Sequence, residues 1–281
     1  MKYPINVVKE YTMSNQNEKD LKEIVKQKYD EIARQEKEDC GCACGCGPEV
    51  SYTIFSEDYS GLEGYNPDAD LSLGCGMPTE LADIKKGDTV VDLGSGAGND
   101  VFIARTIVGE KGRVIGIDMT ESMIEKAHKN ALKLGFDNVE FRLGDIDEMP
   151  LEDNIIDVAV SNCVLNLLPC KRQGFSEMYR VLKPGGHFCV SDIVTKGSLP
   201  ENIREAAEMY AGCVSGAIEK EKYVNLLSEV GFSEVNIVKS RVIVLPDELL
   251  KEYLTNDEIA SYRASGSALL SVTVTGNKPL E

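Results

Sequence analysis

From Asp88 onward, short apolar runs alternate with longer amphipathic ones. "DTVVDLG" reads as a buried strand and "NDVFIARTIVG" as a helix. "GRVIGIDM" is a second strand, and "TESMIEKAHKNALKLG" is a helix capped by Thr120 and stopped at Gly135. "VEFRLGD" and "IIDVAVSN" supply a third and fourth strand. The helix "KRQGFSEMYRVLKPGG" stops at its Pro-Gly-Gly, and "HFCVSDIV" is a fifth strand. Strands and helices alternating at this spacing predict βαβ units, hence an α/β fold with a doubly wound, mostly parallel sheet.

The flanks have a different texture. Leu21, Ile24, Val25, Tyr29 and Ile32 fall on one face at helical spacing, which predicts a helix over residues 17–37 with Asn17 as its cap. Turn formers dominate "SEDYSGLEGYNPDADLSLGCGMP". After Pro200, "ENIREAAEMYAGCVSGAI" and "EKEKYVNLLSEVG" read as helices. "EVNIVKSRVIVL" and "ALLSVTVTGNK" read as strands around a helical insertion, placed to add antiparallel strands at the sheet edge. The pattern divides the chain into an N-terminal helix and Cys-rich arm (1–70), a central sheet domain (71–197) and a C-terminal capping region (198–281).

The apolar runs are strand-length, well short of the roughly 18–20 residues that span a bilayer. The N-terminus has no apolar stretch of the kind that directs export. A net charge of −17, from 47 acidic and 30 basic residues, argues against nucleic acid and against an anionic membrane as partners. Nine cysteines, an odd number, fit reduced thiols in a cytoplasmic protein better than a disulfide scaffold. Four of them, Cys40, Cys42, Cys44 and Cys46, occupy alternate positions in "DCGCACGCGPEV".

"VVDLGSGAGND" leaves a strand and enters a helix. Gly94, Gly96 and Gly98 let the backbone turn tightly and approach a ligand, and the helix N-terminus offers unpaired N–H groups. The dinucleotide spacing G-x-G-x-x-G fails at Asn99, and no proton-transfer His is evident at the pocket, so a nicotinamide cofactor is not expected. Roughly 20 residues on, Asp118 ends the second strand, where a carboxylate accepts from a ribose diol. Asp145, in "LGDIDEMP", is placed to accept from an adenine amino group.

"VDLGSGAG", "GIDM", "GDIDEMP" and "VLKPGG" together resemble the successive motifs of class I S-adenosylmethionine-dependent methyltransferases. The resemblance implies a Rossmann-like methyltransferase sheet and S-adenosylmethionine held by Gly94, Ser95, Gly96, Asp118, Met119, Asp145, Ile146 and Asn162. "LSLGCG", "SNCVLNL" and "EMYAGCVSGA" further resemble arsenite S-adenosylmethionine methyltransferases, and "CGP" at Cys46 resembles the Cys motif of the microbial members. By that resemblance Cys163 and Cys213 hold As(III), while Cys75 and Cys46 take part in binding and redox cycling. The chain departs from the family in having four cysteines there where one or two are common; Cys46 matches because it directly precedes Gly-Pro, with Cys44 a close second. Cys189, inside a strand, reads as a buried hydrophobe, and Cys170 as an exposed turn thiol.

As(III) is soft and thiophilic. Bound by three sulfurs it keeps a lone pair able to attack a sulfonium methyl in line, with no proton for a general base to remove. His128 and His187 are therefore not expected to be catalytic. The resemblance implies arsenite or an arsenic–thiol conjugate as substrate, and thioredoxin or another thiol reductant as partner. Two other readings compete. One is a methyltransferase of a different small molecule. The other is a metal-binding protein with zinc at Cys40–Cys46, although the C-x-C spacing departs from the common C-x-x-C knuckle and zinc is not expected.

Overall fold

The structure, a computed structural model, describes residues 15–34, 56–200, 202, 216–251 and 253–281. The Cys40–Cys46 arm, Cys213, and most of the helix expected over 201–218 lie outside the described residues. Strands β1 (Thr89–Leu93), β2 (Arg113–Asp118) and β3 (Val139–Leu143) run parallel. β4 (Ile156–Asn162) then returns to the other side of β1, and β5 (Leu182–Lys196) continues the parallel run. β6 (Ser233–Ile243) and β7 (Ala268–Asn277) follow, with β7 antiparallel to both β5 and β6. The order is β3-β2-β1-β4-β5-β7-β6, the mostly parallel sheet with an antiparallel edge that the pattern predicts.

The strand sequences explain the layering. β1, β2 and β4 read as near-continuous apolar runs because helices cover both faces of a parallel sheet. Val90, Val91, Leu93, Ile115 and Ile117 are fully buried. On one face lie α5 (Lys171–Val181) and α6 (Lys220–Val230), where Phe175 meets Tyr223 edge-on at 5.2 Å. On the other lie α3 (Asn99–Val108), with the short α2 (Pro78–Leu81) beside it, and α4 (Glu121–Leu134), with Phe102 edge-on to Phe141 at 6.0 Å. Between β6 and β7 stand two short helices, α7 (Asp247–Leu250) and α8 (Asn256–Ser265). Thr255 and Glu258 close a capping box on α8. No helix among the described residues is long and apolar enough to cross a membrane.

Local signals hold with adjustments. Gly135 ends α4 in the left-handed conformation, φ 69°, its N–H bonding the carbonyls of Ala131 and Leu132. Thr120 occupies the N-cap position of α4, but its side chain does not make the capping bond. The N-terminal helix α1 (Asn15–Arg34) starts before Asn17, which is inside it and not its cap. β5 starts at Leu182, not His187, so the Lys-Pro-Gly-Gly stretch belongs to the strand. It bulges between the pairs Ile156–Leu182 and Val158–His187, which accommodates a proline that cannot donate to the ladder.

Phe175 is fully buried against Tyr223. Phe175→Ala should destabilise the fold by about 3–5 kcal/mol, read as a shift in the denaturant-unfolding midpoint.

Candidate active site

The turn after β1 is built by backbone bonds. The N–H groups of Gly94 and Ser95 both donate to the Ile117 carbonyl, at 2.8 and 2.9 Å. Gly94 and Gly96 adopt φ of 76° and 51°, the left-handed region that favours glycine. A Cβ on Gly94 would stand 2.4 Å from Val164, so the turn is pressed against the chain leaving β4. A Cβ on Gly96 would meet nothing within 4 Å, and that residue lines an open cleft.

Asp118 closes the turn at the end of β2. The Gly96 N–H donates to its Oδ2 at 3.0 Å and the Thr120 N–H to its Oδ1 at 2.9 Å. Burial raises its pKa, and those two donors pull it back. A carboxylate has about four lone-pair sites, so acceptor capacity remains for ligand hydroxyls. Ser95 also lines the cleft, and its Oγ is buried with no protein partner. Open space over Gly96, a pinned carboxylate and an orphaned hydroxyl fit an adenosyl cofactor bearing a ribose diol.

Sequence reading missed the acids beneath the cleft. Asp92 is fully buried, and its pKa is pushed well up by burial and then by the charges of Asp100 and Asp118. Asp100, second residue of α3, is raised to about 6 by burial, against the pull of Asn162, Thr79 and Tyr59. Both sit in or beside a motif that was quoted only for its glycines. Also missed was the roof, where Lys22, Val25 and Tyr29 of α1 line the cleft. Lys22 Nζ stands 2.7 Å from Asp147 and 3.8 Å from Asp145, whose half-exposed carboxylate sits at the rim. The helical periodicity of α1 was readable in the sequence, but nothing local showed what it covers.

The thiol side begins where β4 ends. Cys163 has φ 62°, and its N–H donates to the Ser191 carbonyl at 2.7 Å. It is buried and lines the cleft. Cys75 is fully buried and packs into the same apolar cluster as Cys163, with Leu167, Ile193 and Leu269. Asn162, expected among the cofactor residues, lines the cleft but turns its amide toward the Cys75 loop. Its Oδ1 accepts from the N–H of Cys75 at 2.9 Å and of Gly76 at 3.3 Å.

A second buried polar cluster fixes the turn after Cys163. Asn166 Nδ2 donates to the Ile193 carbonyl at 2.5 Å, and Lys171 Nζ donates to the Asn166 carbonyl at 3.2 Å. Tyr223 donates to Asp192 at 2.7 Å. Burial raises Asp192 to about 7 and lowers Lys171 to about 8. The Tyr223 phenol is itself pushed well up by burial and by Asp192, with Cys75 and Cys163 adding to the effect.

The structure thus brings Gly94, Ser95, Gly96, Asp118, Met119, Asp145, Ile146, Asn162 and Cys163 to one cleft, with Cys75 packed behind it. Cys189 is buried inside β5, its thiol raised to about 12, and Cys170 is exposed. His187 bonds the Ala82 carbonyl at 2.7 Å, and the His128 ring packs on Phe141.

Residues 84–231 match the methyltransferase-domain family. The arsenite methyltransferase of Halobacterium salinarum is 38% identical, covering 96% of this chain and 72% of that protein. The human arsenite methyltransferase is 37% identical over 64% of this chain, which spans about half of the human protein's length (50%). An arsenic(III) S-adenosylmethionine methyltransferase from Chlamydomonas reinhardtii superposes with a TM-score of 0.60 at 33% identity, over 73% of this chain and 67% of that one. A phosphoethanolamine N-methyltransferase from Haemonchus contortus, at 19% identity and a TM-score of 0.57, shares the fold. With a methyltransferase domain over half of its length and a relative 38% identical across 96% of it, the chain belongs to the arsenite methyltransferase family of S-adenosylmethionine-dependent enzymes.

Proposed function

We propose that this enzyme methylates thiol-bound trivalent arsenic, with Cys163, Cys213 and Cys75 as the arsenic ligands. The observation that carries the reading is the burial of Cys75 and Cys163 in one cluster at the carboxyl edge of β4, with Cys163 lining the cofactor cleft. In open α/β sheets ligands bind at that edge. Cys213 joins them by family resemblance.

When bound, S-adenosylmethionine would supply an electrophilic methyl on its sulfonium for in-line attack by the arsenic lone pair, the S–CH3 bond breaking to leave S-adenosylhomocysteine. The chain's part is to hold and to orient. Asp118 accepts the ribose hydroxyls, Asp145 accepts from adenine, and the loop from Gly94 to Gly96 keeps side chains out of the cofactor's way. The thiols hold arsenic at near-attack distance, roughly 3–3.5 Å from the methyl carbon. Buried among Leu167, Ile193 and Leu269, they also keep water from the soft centre. Methyl transfer leaves arsenic formally pentavalent. Two protein thiols then give up two electrons and two protons as they close a disulfide, which thioredoxin or a similar dithiol reopens. Cys46, with Cys44 beside it, is the proposed source of those electrons.

Three outcomes test this reading. Asp118→Ala should weaken cofactor binding by roughly 1.5–3 kcal/mol in calorimetry, and an unchanged affinity would remove Asp118 from the ribose site.

The buried acids give a pH signature. Asp100 binds its proton up to pH about 6, and a bound sulfonium favours the ionised form, so cofactor uptake expels that proton. S-adenosylmethionine affinity should rise with pH through 6, by up to about tenfold between pH 5 and 7.5 for one proton released. S-adenosylhomocysteine, which lacks the sulfonium charge, should change less. Equal pH slopes for the two ligands would place the sulfonium away from Asp100.

The thiol assignment is tested by serine, which offers a hard hydroxyl in place of a thiolate-forming sulfur. Cys163→Ser and Cys213→Ser should keep cofactor binding and lose arsenite binding and single-turnover methylation. Cys189→Ser should methylate like the parent. Wild-type arsenite affinity and turnover in Cys163→Ser would leave a methyltransferase of another substrate.

A further inference from the structure

Cys75 is carried by an irregular segment, yet its backbone is held from two sides. On the β4 side, Asn162 Oδ1 takes the N–H groups of Cys75 and Gly76. Asn162 Nδ2 in turn donates to the Gly76 carbonyl at 2.8 Å and to the Tyr59 hydroxyl at 2.5 Å. That hydroxyl lies 2.6 Å from the same Gly76 carbonyl and 3.2 Å from Asp100 Oδ2. Thr79 Oγ1 donates to the other oxygen of Asp100 at 3.1 Å. On the β7 side, Ser271 Oγ donates to the Cys75 carbonyl at 2.6 Å. Beneath the loop, a Cβ on Gly76 would stand 2.4 Å from Ser191 Oγ, so the segment lies directly on β5.

Tyr59, Thr79, Asp100 and Ser271 are buried and Asn162 is partly so. Burying a tyrosine hydroxyl and a serine hydroxyl costs free energy unless each is hydrogen-bonded. Here their partners converge on two consecutive residues, Cys75 and Gly76. Asn162 directly precedes Cys163, so the same side chain fixes one thiol segment while its own backbone leads into the other.

We propose that Tyr59 and Ser271 are positioning residues for Cys75: Ser271 acts on the Cys75 carbonyl and Tyr59 through the Gly76 carbonyl and Asn162, so that the Cys75–Gly76 backbone is clamped from two sides and the thiol held in register with Cys163. The proposal rests on the reading of these thiols as arsenic ligands. The clamp sets the distance between two sulfurs before arsenic arrives, so that binding need not order the loop. Tyr59 does this from the α3 side, beside the cofactor cleft, and Ser271 from the antiparallel strand.

The test uses the full chain with Tyr59→Phe and, separately, Ser271→Ala. The first readout is alkylation of each thiol, mapped by mass spectrometry, with Cys189 as the buried internal standard. Cys75 should be alkylated at least tenfold faster relative to Cys189 in either variant than in the parent. The second readout is the number of sulfurs around bound As(III) by X-ray absorption, in the absence of added thiol. It should fall from three in the parent to two in each variant, with S-adenosylhomocysteine affinity within threefold of the parent. A lowered Tm with parental Cys75 alkylation and three sulfurs in both variants would overturn the proposal and leave these hydroxyls merely structural. Failure of the parent itself to bind arsenic through three sulfurs would sink the ligand assignment, while the alkylation ratio would still decide whether the clamp holds Cys75.

Discussion

The site depends on one pairing in the sheet, β1 beside β4. These strands are more than 60 residues apart in sequence, yet Val90 through Leu93 sit in register with Val158 through Ser161. The chain builds outward from β1 to β3, then crosses back to lay β4 on the other flank. At that reversal the connections on the two sides leave in opposite directions and a crevice opens beyond the carboxyl ends. The glycine turn leaves β1 into the crevice, and Cys163 leaves β4 into the same crevice. Val164 lies close enough to Gly94 to exclude a Cβ there. Cofactor loop and thiol turn are therefore two sides of one contact, and shifting either strand would separate them.

A consequence of that crowding is buried negative charge. Asp92, Asp100 and Asp118 gather beneath the cleft, and burial raises all three above their ordinary carboxylate range. For an acid whose folded pKa is raised, the contribution to stability is fully present below the unfolded value near 4 and is lost as pH rises through the folded one, here about 6 for Asp100. The ionised cluster thus costs folding free energy at neutral pH. What offsets the cost is local: backbone N–H groups pin Asp118, and three side chains converge on Asp100. A cationic ligand would relieve the remainder, which ties the electrostatics of the fold to the charge of its cofactor.

Much of this was legible in the sequence, and the limits have physical reasons. β1 to β4 and the helices between them follow from periodicity and from punctuation such as Gly135, because those signals are local. The antiparallel edge was legible too, since "EVNIVKSRVIVL" and "ALLSVTVTGNK" read as strands around a helical insertion, beyond the alternating βαβ units. The start of β5 was not. Pro-Gly-Gly reads as a stop, and only pairing with β4 shows that the strand bulges through it. In the site, residues at strand ends were found because their position carries their meaning. Asp100, Tyr59, Thr79 and Ser271 were not, because each matters through a partner that is distant in sequence (Ser271 and Cys75 lie 196 positions apart). The roof formed by α1 escaped for the same reason.

The division of labour between the two sides of the cleft follows from the chemistry they face. A ribose and an adenine ring present fixed donors and acceptors, and in the proposed reading carboxylates and backbone N–H groups, placed by the sheet, would answer them. Arsenic presents no proton and no hydrogen-bond code; it asks for sulfur at set distances and for the absence of water. The thiol side accordingly has no histidine at its centre: His187 is spent on the Ala82 carbonyl and His128 packs on Phe141. Its polar groups grip the backbone of the thiol segments and leave the sulfurs among leucine and isoleucine. Sulfur tolerates that environment because it loses little hydration on burial, whereas a hydroxyl or carboxylate costs more to desolvate.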